Sequence, residues 1–175
     1  MTIRGVWRRV FLLRRGCSER SRAVVEFALV GSIFLMLVFG IIDTARLFQS
    51  WVTVQHAARE GARYGLTGRA NCDIAGVPIA DDRLACIINQ AKQAATGLTG
   101  APGAANVTVR TWEYPDYADP PVEDYPGVAC DAIEVEVEYD HQLLTPFIGA
   151  IVDHVPLSGR ERVLNEPFGK CGEAP

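Results

Sequence analysis

At 175 residues the chain has room for one domain besides a membrane helix, and that domain can hold only a modest core. The formal net charge of −4 is unevenly spread: seven arginines against Glu19 give residues 1–22 a charge of +6, while residues 43–175 carry ten basic and nineteen acidic side chains. The only basic stretch is thus the N-terminal tail, with just Trp7 and Phe11 as aromatic company, and a nucleic-acid surface is excluded.

Residues 1–21 read as a basic cytoplasmic leader or tail. The cluster Val10-Phe11-Leu12-Leu13 between arginine pairs is too short to span a bilayer and suits a tail lying on anionic headgroups. Ser21 is placed to cap the helix that follows. Residues 23–42, AVVEFALVGSIFLMLVFGII, form 20 consecutive positions with one charge, Glu26. A bilayer core of ~30 Å needs ~20 helical residues, and an all-round apolar helix is not the pattern of a soluble one. Residues 22–42 are therefore predicted as a transmembrane helix. The run is longer than a secretory signal's apolar core and ends GIIDTARLF, without an A-x-A site, so it is expected to remain an anchor.

Positive residues stay on the cytoplasmic side. The N-terminus is predicted inside the inner (cytoplasmic) membrane, and the acidic remainder outside. The cysteines agree with an oxidising compartment there. Cys72, Cys86, Cys130 and Cys171 are even in number and all follow the span, while Cys17 precedes it. Of three possible pairings, Cys72–Cys86 with Cys130–Cys171 is favoured because the first closes a short loop. Zinc is disfavoured, since no C-x-x-C pair and no neighbouring His exists.

Residues 43–65 continue the helix beyond the membrane. Leu47, Trp51, Val54, Ala58 and Ala62 recur on one stripe, and Gly65 supplies the stop. Ala57, Gly61 and Gly65 form a small-residue row, fit for close approach either to the chain's own sheet or to another subunit's helix. Residues 66–175 read as an α+β head. Residues 66–80 are predicted as a loop, and residues 81–95 as a second helix with Leu84, Ile87, Ile88, Ala91 and Ala95 on one face. Residues 106–114 alternate as a strand. Residues 115–127 hold four prolines and read as a surface loop. In residues 132–140, Ile133, Val135, Val137 and Tyr139 are predicted to face a core, and Glu134, Glu136, Glu138 and Asp140 to face water. LLTPFIGAIV reads as a turn plus a short apolar helix, and LSGRERVLNEP as a last strand.

No catalytic constellation stands out. His56, His141 and His154 are scattered, and no G-x-S-x-G, H-E-x-x-H or Walker sequence exists. The acids Glu113, Asp116, Asp119, Glu123 and Asp124 offer hard oxygen ligands but lack calcium-loop spacing. The expectation is no enzyme activity, no metal and no cofactor. Glu26 is the chemical exception. A carboxylate in an apolar span is costly, less so near an edge, so it either snorkels or meets a positive charge from a neighbouring subunit.

Glu26 and Phe27 within VVEFALVGSIFLMLVFGIIDTARLF resemble the N-terminal helix of pilins and pseudopilins. The chain is more closely similar to the TadE-like family of the tight-adherence (Flp-type) pilus system. The likeness rests on Val25-Glu26-Phe27-Ala28-Leu29, Gly40-Ile41-Ile42-Asp43-Thr44-Ala45-Arg46 and Ala57-Ala58-Arg59-Glu60-Gly61-Ala62-Arg63-Tyr64. It is strong over residues 21–65 and weaker over 132–164. The resemblance implies a prepilin peptidase cut between Ser21 and Arg22, with Ser21 standing where the family usually has Gly or Ala. The glutamate then becomes position five of the mature chain, and the new amine of Arg22 the partner of Glu26 in a neighbour. It further implies a small pilin-like head with about three antiparallel strands, a minor pilin or pseudopilin role, and pilin subunits, assembly machinery and membrane lipid as partners. Extracellular pili are then one destination. The other function class is an unprocessed membrane-anchored binding module that holds a ligand on residues 113–126.

Overall fold

The computed structural model describes residues 4–74, 76–98, 105–117, 120–145, 152 and 154–171, with side chains from residue 21 onward. Helix α1 covers Arg4–Leu66. The head adds β1 (Cys72–Ile74), β2 (Val77–Ile79), α2 (Arg83–Ala94), β3 (Asn106–Trp112), β4 (Val122–Glu123), β5 (Ala132–Gln142) and β6 (His154–Leu164). The chain forms two compact units, Met1–Thr44 and Ala45–Pro175.

α1 starts well before the expected Ser21, so Ser21 lies inside the helix and not at its N-terminus. The reason is local. Residues 4–20 contain no proline and are rich in Arg and Leu, good helix formers that keep the ladder running.

In the second unit, one sheet of order β4-β3-β5-β6 is antiparallel throughout, one strand more than expected. The extra strand is β4, two residues within the proline-rich stretch. α1 and α2 pack on one face. Val54, Ala57, Ala58 and Ala62 of α1 and Ile87 and Ala91 of α2 meet Val109, Ile133, Val135 and Val137 of the sheet in one core. The small-residue row explains the closeness. A Cβ on Gly61 would stand 3.0 Å from Ala91 Cβ and 3.1 Å from Val135 Cγ1, and one on Gly65 would stand 3.0 Å from Ile133 Cδ1. The row thus serves the chain's own sheet. Trp51, expected on the buried stripe, is exposed, and Leu47 is only half-buried. The rest of the expected stripe, Val54, Ala58 and Ala62, is fully buried, with Ser50, Ala57, Gly61 and Gly65 buried beside it.

α2 begins at Arg83, where Asp82 caps it by accepting from the Ala85 amide at 2.9 Å. Residues 66–80 are not all loop. β1 and β2 pair as a hairpin whose turn is held by Asp73 Oδ1 accepting from Gly76 N, 2.8 Å. Three-residue strands are too short to announce themselves by alternation. Two disulfides are present: Cys72–Cys86 ties the hairpin to α2, and Cys130–Cys171 ties the start of β5 to the C-terminal segment.

The outer face of the sheet departs from the alternation rule. Glu136, expected in water, is 1% exposed. Its Oε1 accepts from Arg160 Nε at 2.6 Å, and Arg110 Nη1 lies 2.8 Å from its Oε2 and 3.4 Å from Glu134. Arg162 stacks over Trp112 at 3.8 Å. Long cationic side chains from β3 and β6 lie across the central strand and shut it from solvent. Burial works against the Arg110 charge. The attraction and hydrogen bonds of Glu136 and then Glu134 outweigh it and raise the guanidinium pKa above its ordinary value. The apolar helix expected within residues 143–152 falls largely outside the described residues.

Candidate functional site

Residues 23–42 turn apolar side chains outward on all sides. Val24, Phe27, Val30, Phe34, Leu37 and Ile41 are all exposed, Phe27 at 79%. A Cβ added at Gly31 or Gly40 would meet nothing within 4 Å. The hydroxyls in and beside this stretch are satisfied by the helix itself: Ser32 donates to Ala28 O at 2.7 Å and Thr44 to Gly40 O at 2.8 Å. That removes the cost of an unpaired hydroxyl in an apolar solvent. Among the described residues, α1 is the one helix long and apolar enough to cross a membrane.

Glu26 is the remaining polar feature. It lies exposed on this helix, in an open hollow with Ser21, Arg22, Val25 and Leu29. No described residue pairs with its carboxylate. Phe27 follows it on the adjoining face. The structure therefore puts Ser21, Arg22, Glu26 and Phe27 within two turns of one exposed helix.

The other candidates separate. His56 is exposed on α1, whereas His141 is fully buried, its Nδ1 3.0 Å from Ser50 Oγ. That contact fixes the far end of β5 to α1. Glu113, Asp116, Glu123 and Asp124 are exposed, and Asp119 is outside the described residues. Among the described residues, no group of three or more His, Cys, Asp or Glu is arranged to hold a metal. The organiser of residues 113–131 is Asp131, 1% exposed, which accepts from Tyr114 N at 2.8 Å and Val128 N at 2.7 Å. Tyr117 adds a hydrogen bond from its hydroxyl to Cys130 O, 3.0 Å.

Sequence reasoning missed Arg83. Its Nη1 donates to Gly127 O at 2.6 Å, and its Nη2 to Gly65 O and to Asn165 Oδ1 at 3.0 Å, with Phe168 under the guanidinium at 4.9 Å. It gathers the C-terminal end of α1, the stretch before β5 and the chain after β6. A signal existed. A cation in the first turn of a helix opposes the helix dipole, and such a broken local rule points to a tertiary task. Desolvation lowers the Arg83 pKa, against the smaller pull of Tyr125 and Asp131.

A family model described as TadE-like protein matches residues 23–63. The similarity is confined to that segment. The match begins at the exposed apolar run with Glu26 and ends inside the row of small residues that packs on the head. No curated protein and no solved structure matches the chain. The TadE-like segment divides its work. Its last third is consumed by the head's own core, while its first half makes no packing contact that a glycine's missing Cβ would reveal.

Proposed function

We propose that this chain is a minor pilin or pseudopilin that supports assembly of a tight-adherence pilus or a related secretion apparatus. It acts as a structural component rather than an enzyme. The N-terminus is cytoplasmic, the head extracytoplasmic, and the partners are pilin-like subunits, the assembly machinery and membrane lipid.

The observation that carries this reading is Glu26. The matched segment exposes a carboxylate beside Phe27 on a helix where the Ser32 and Thr44 hydroxyls are satisfied by the helix's own carbonyls. An acidic group so placed is costly in lipid unless another molecule supplies a positive charge. A prepilin peptidase cut between Ser21 and Arg22 would create that charge, the α-amino group of Arg22, four residues from Glu26 in sequence. The tying of residues 113–131 by the buried Asp131 supports a structural task for that stretch over a ligand-holding one.

The test is the intact mass and N-terminal sequence of the protein recovered from membranes. A mature chain beginning at Arg22 is expected. A chain beginning at Met1 or Thr2 would overturn processing and make the protein a fixed membrane component.

A further inference from the structure

Among the described residues, β6 has β5 on one side and no strand on the other. Hydrogen bonds near its ends show which of its main-chain groups face which way. Asn165 N donates to Asp131 O at 2.8 Å, and these positions extend the β5–β6 register by one step beyond Ala132 and Leu164. The direction alternates along an antiparallel strand. Odd-numbered residues of β6 therefore turn N–H and C=O toward β5, and even-numbered residues turn theirs away. Two bonds on the outer side agree: Ser158 O accepts from Gln55 Nε2 at 3.1 Å, and Glu166 N donates to Leu66 O at 3.0 Å. Between these ties, the main-chain groups of Arg160, Arg162 and Leu164 point outward and have no partner among the described residues. All three residues are exposed.

The two edges of the sheet are treated differently. β4, at the other edge, has two residues, with Pro121 just before it and Pro126 shortly after. A short, proline-flanked strand is protected against pairing. β6 carries its one proline, Pro156, before the open stretch. Edge arginines can also obstruct pairing, but here both lean inward over the sheet. Arg160 Nε is 2.6 Å from Glu136 of β5, and the Arg162 guanidinium lies 3.8 Å over Trp112 of β3. The outward N–H and C=O groups stay uncovered.

We infer that residues 160–164 of β6 are a strand-addition site for an extended, acidic segment of a partner protein. The main-chain groups of Arg160, Arg162 and Leu164 supply the hydrogen bonds of such an addition. Charge selects the occupant. The side chains of Arg59 and Arg160 are 66% and 60% exposed, and Arg162 is exposed between them and Leu164, with Glu161 the acid among them. A strand with acids at alternate positions meets Arg160 and Arg162 as Glu136 and Glu134 of β5 already do from the other side. The same edge of a second copy fits poorly, because antiparallel pairing about Glu161 or Arg162 sets like charges opposite each other. The inference stands apart from the pilin-like reading, since it uses only contacts within residues 45–175.

The probe is a fluorescent peptide with the β5 sequence AIEVEVEYD, added to the full chain in detergent, with binding read by anisotropy. A counterpart with lysine at every glutamate is expected to bind at least about tenfold more weakly. Hydrogen exchange, resolved to single amides by electron-transfer fragmentation, locates the contact. Without peptide, the amides of Arg160, Arg162 and Leu164 should exchange at least about tenfold faster than those of Glu161 and Val163, and saturating peptide should slow them by a similar factor. Arg162→Pro removes an outward N–H without touching a bond to β5, and should bind at least about tenfold more weakly than Arg162→Ala. Slow exchange of these amides in the free chain, alone or as a dimer, would mean that the edge is already covered and would overturn the site. Absence of peptide binding, or binding that leaves them unprotected, would also overturn it. Equal affinity for the two peptides would remove the acidic partner. If Arg162→Pro fails to fold, exchange in the unaltered chain still decides.

Discussion

Gly159 of β6 lies directly on the backbone of Val54 in α1: a Cβ at residue 159 would stand 2.8 Å from the Val54 carbonyl oxygen. The neighbouring Ser158 carbonyl accepts from the side-chain amide of Gln55 at 3.1 Å, so the close backbone approach is tied by a side-chain hydrogen bond at this level. Main chain cannot swing aside as a flexible side chain can. Gly159→Ala is expected to push β6 off α1 and to lower stability by about 1–3 kcal/mol, the scale of overpacking a core. Thermal unfolding of the full chain in detergent, followed by near-UV circular dichroism, measures it. An unchanged midpoint would mean that residues 45–66 are not an integral part of the head.

Glu136 is sealed between Arg110 and Arg160 on the face where water was expected. Glu136→Gln keeps the shape and removes the charge, leaving two guanidiniums facing a neutral amide. Breaking a fully buried pair is severe, but Arg160 is largely exposed, so the expected loss is about 1–3 kcal/mol. Glu138→Gln on the same strand is exposed and should stay within about 0.5 kcal/mol of the parent. Urea unfolding of both variants checks the contrast. Equal, small losses would mean that the arginines can return to water at no cost.

The two glutamates show what sequence can and cannot convey. A period of two placed Ile133, Val135, Val137 and Tyr139 in the core, and all four are buried there. The same period assigned Glu136 to solvent, because alternation reports which face a residue is on and not what lies over that face. The cover depends on strand register, which opposes Glu136 to Arg160 and Arg110 to Glu134. No local pattern encodes that pairing. The apolar run was legible for the opposite reason: its meaning depends on solvent and length, not on a distant partner. The β1–β2 hairpin was lost because its strands are too short, and the Arg83 cluster because its acceptors lie up to 82 residues away.

Arg83 should not tolerate a shorter cation. Three acceptors are met by one planar fork, and a lysine ammonium cannot reach all of them. Arg83→Lys is expected to destabilise the head by about 2–4 kcal/mol through unsatisfied buried carbonyls. Tyr125 gives the same region an alkaline limit. Its pKa is raised by desolvation, with Asp131 and Glu113 adding to the shift and Arg83 opposing it. A raised phenol holds its proton longer in the folded state, so its contribution is complete below about pH 10. It is lost as the pH climbs through the higher folded value. Unfolding midpoints measured from pH 8 to 11 should fall at the top of this range, and Tyr125→Phe should flatten the fall. An identical slope in the variant would move the alkaline limit elsewhere.

Glu26 carries the decisive functional prediction. Glu26→Gln removes a charge from an exposed helix position that no described residue of the chain pairs with, so folding of the head and insertion of the helix should be unchanged. A glutamine is also less costly in lipid than a carboxylate, which if anything favours insertion. What the variant should lose is register with a neighbouring subunit, because a neutral amide gives an incoming amine no charge to neutralise. The expected outcome is normal membrane yield and normal mass of the mature chain, with filaments reduced or absent by electron microscopy. Glu26→Asp should restore part of the filament yield, since it returns the charge on a side chain one methylene shorter. Normal filaments in Glu26→Gln would remove the charge-pairing role and leave the glutamate as a boundary marker at the membrane surface.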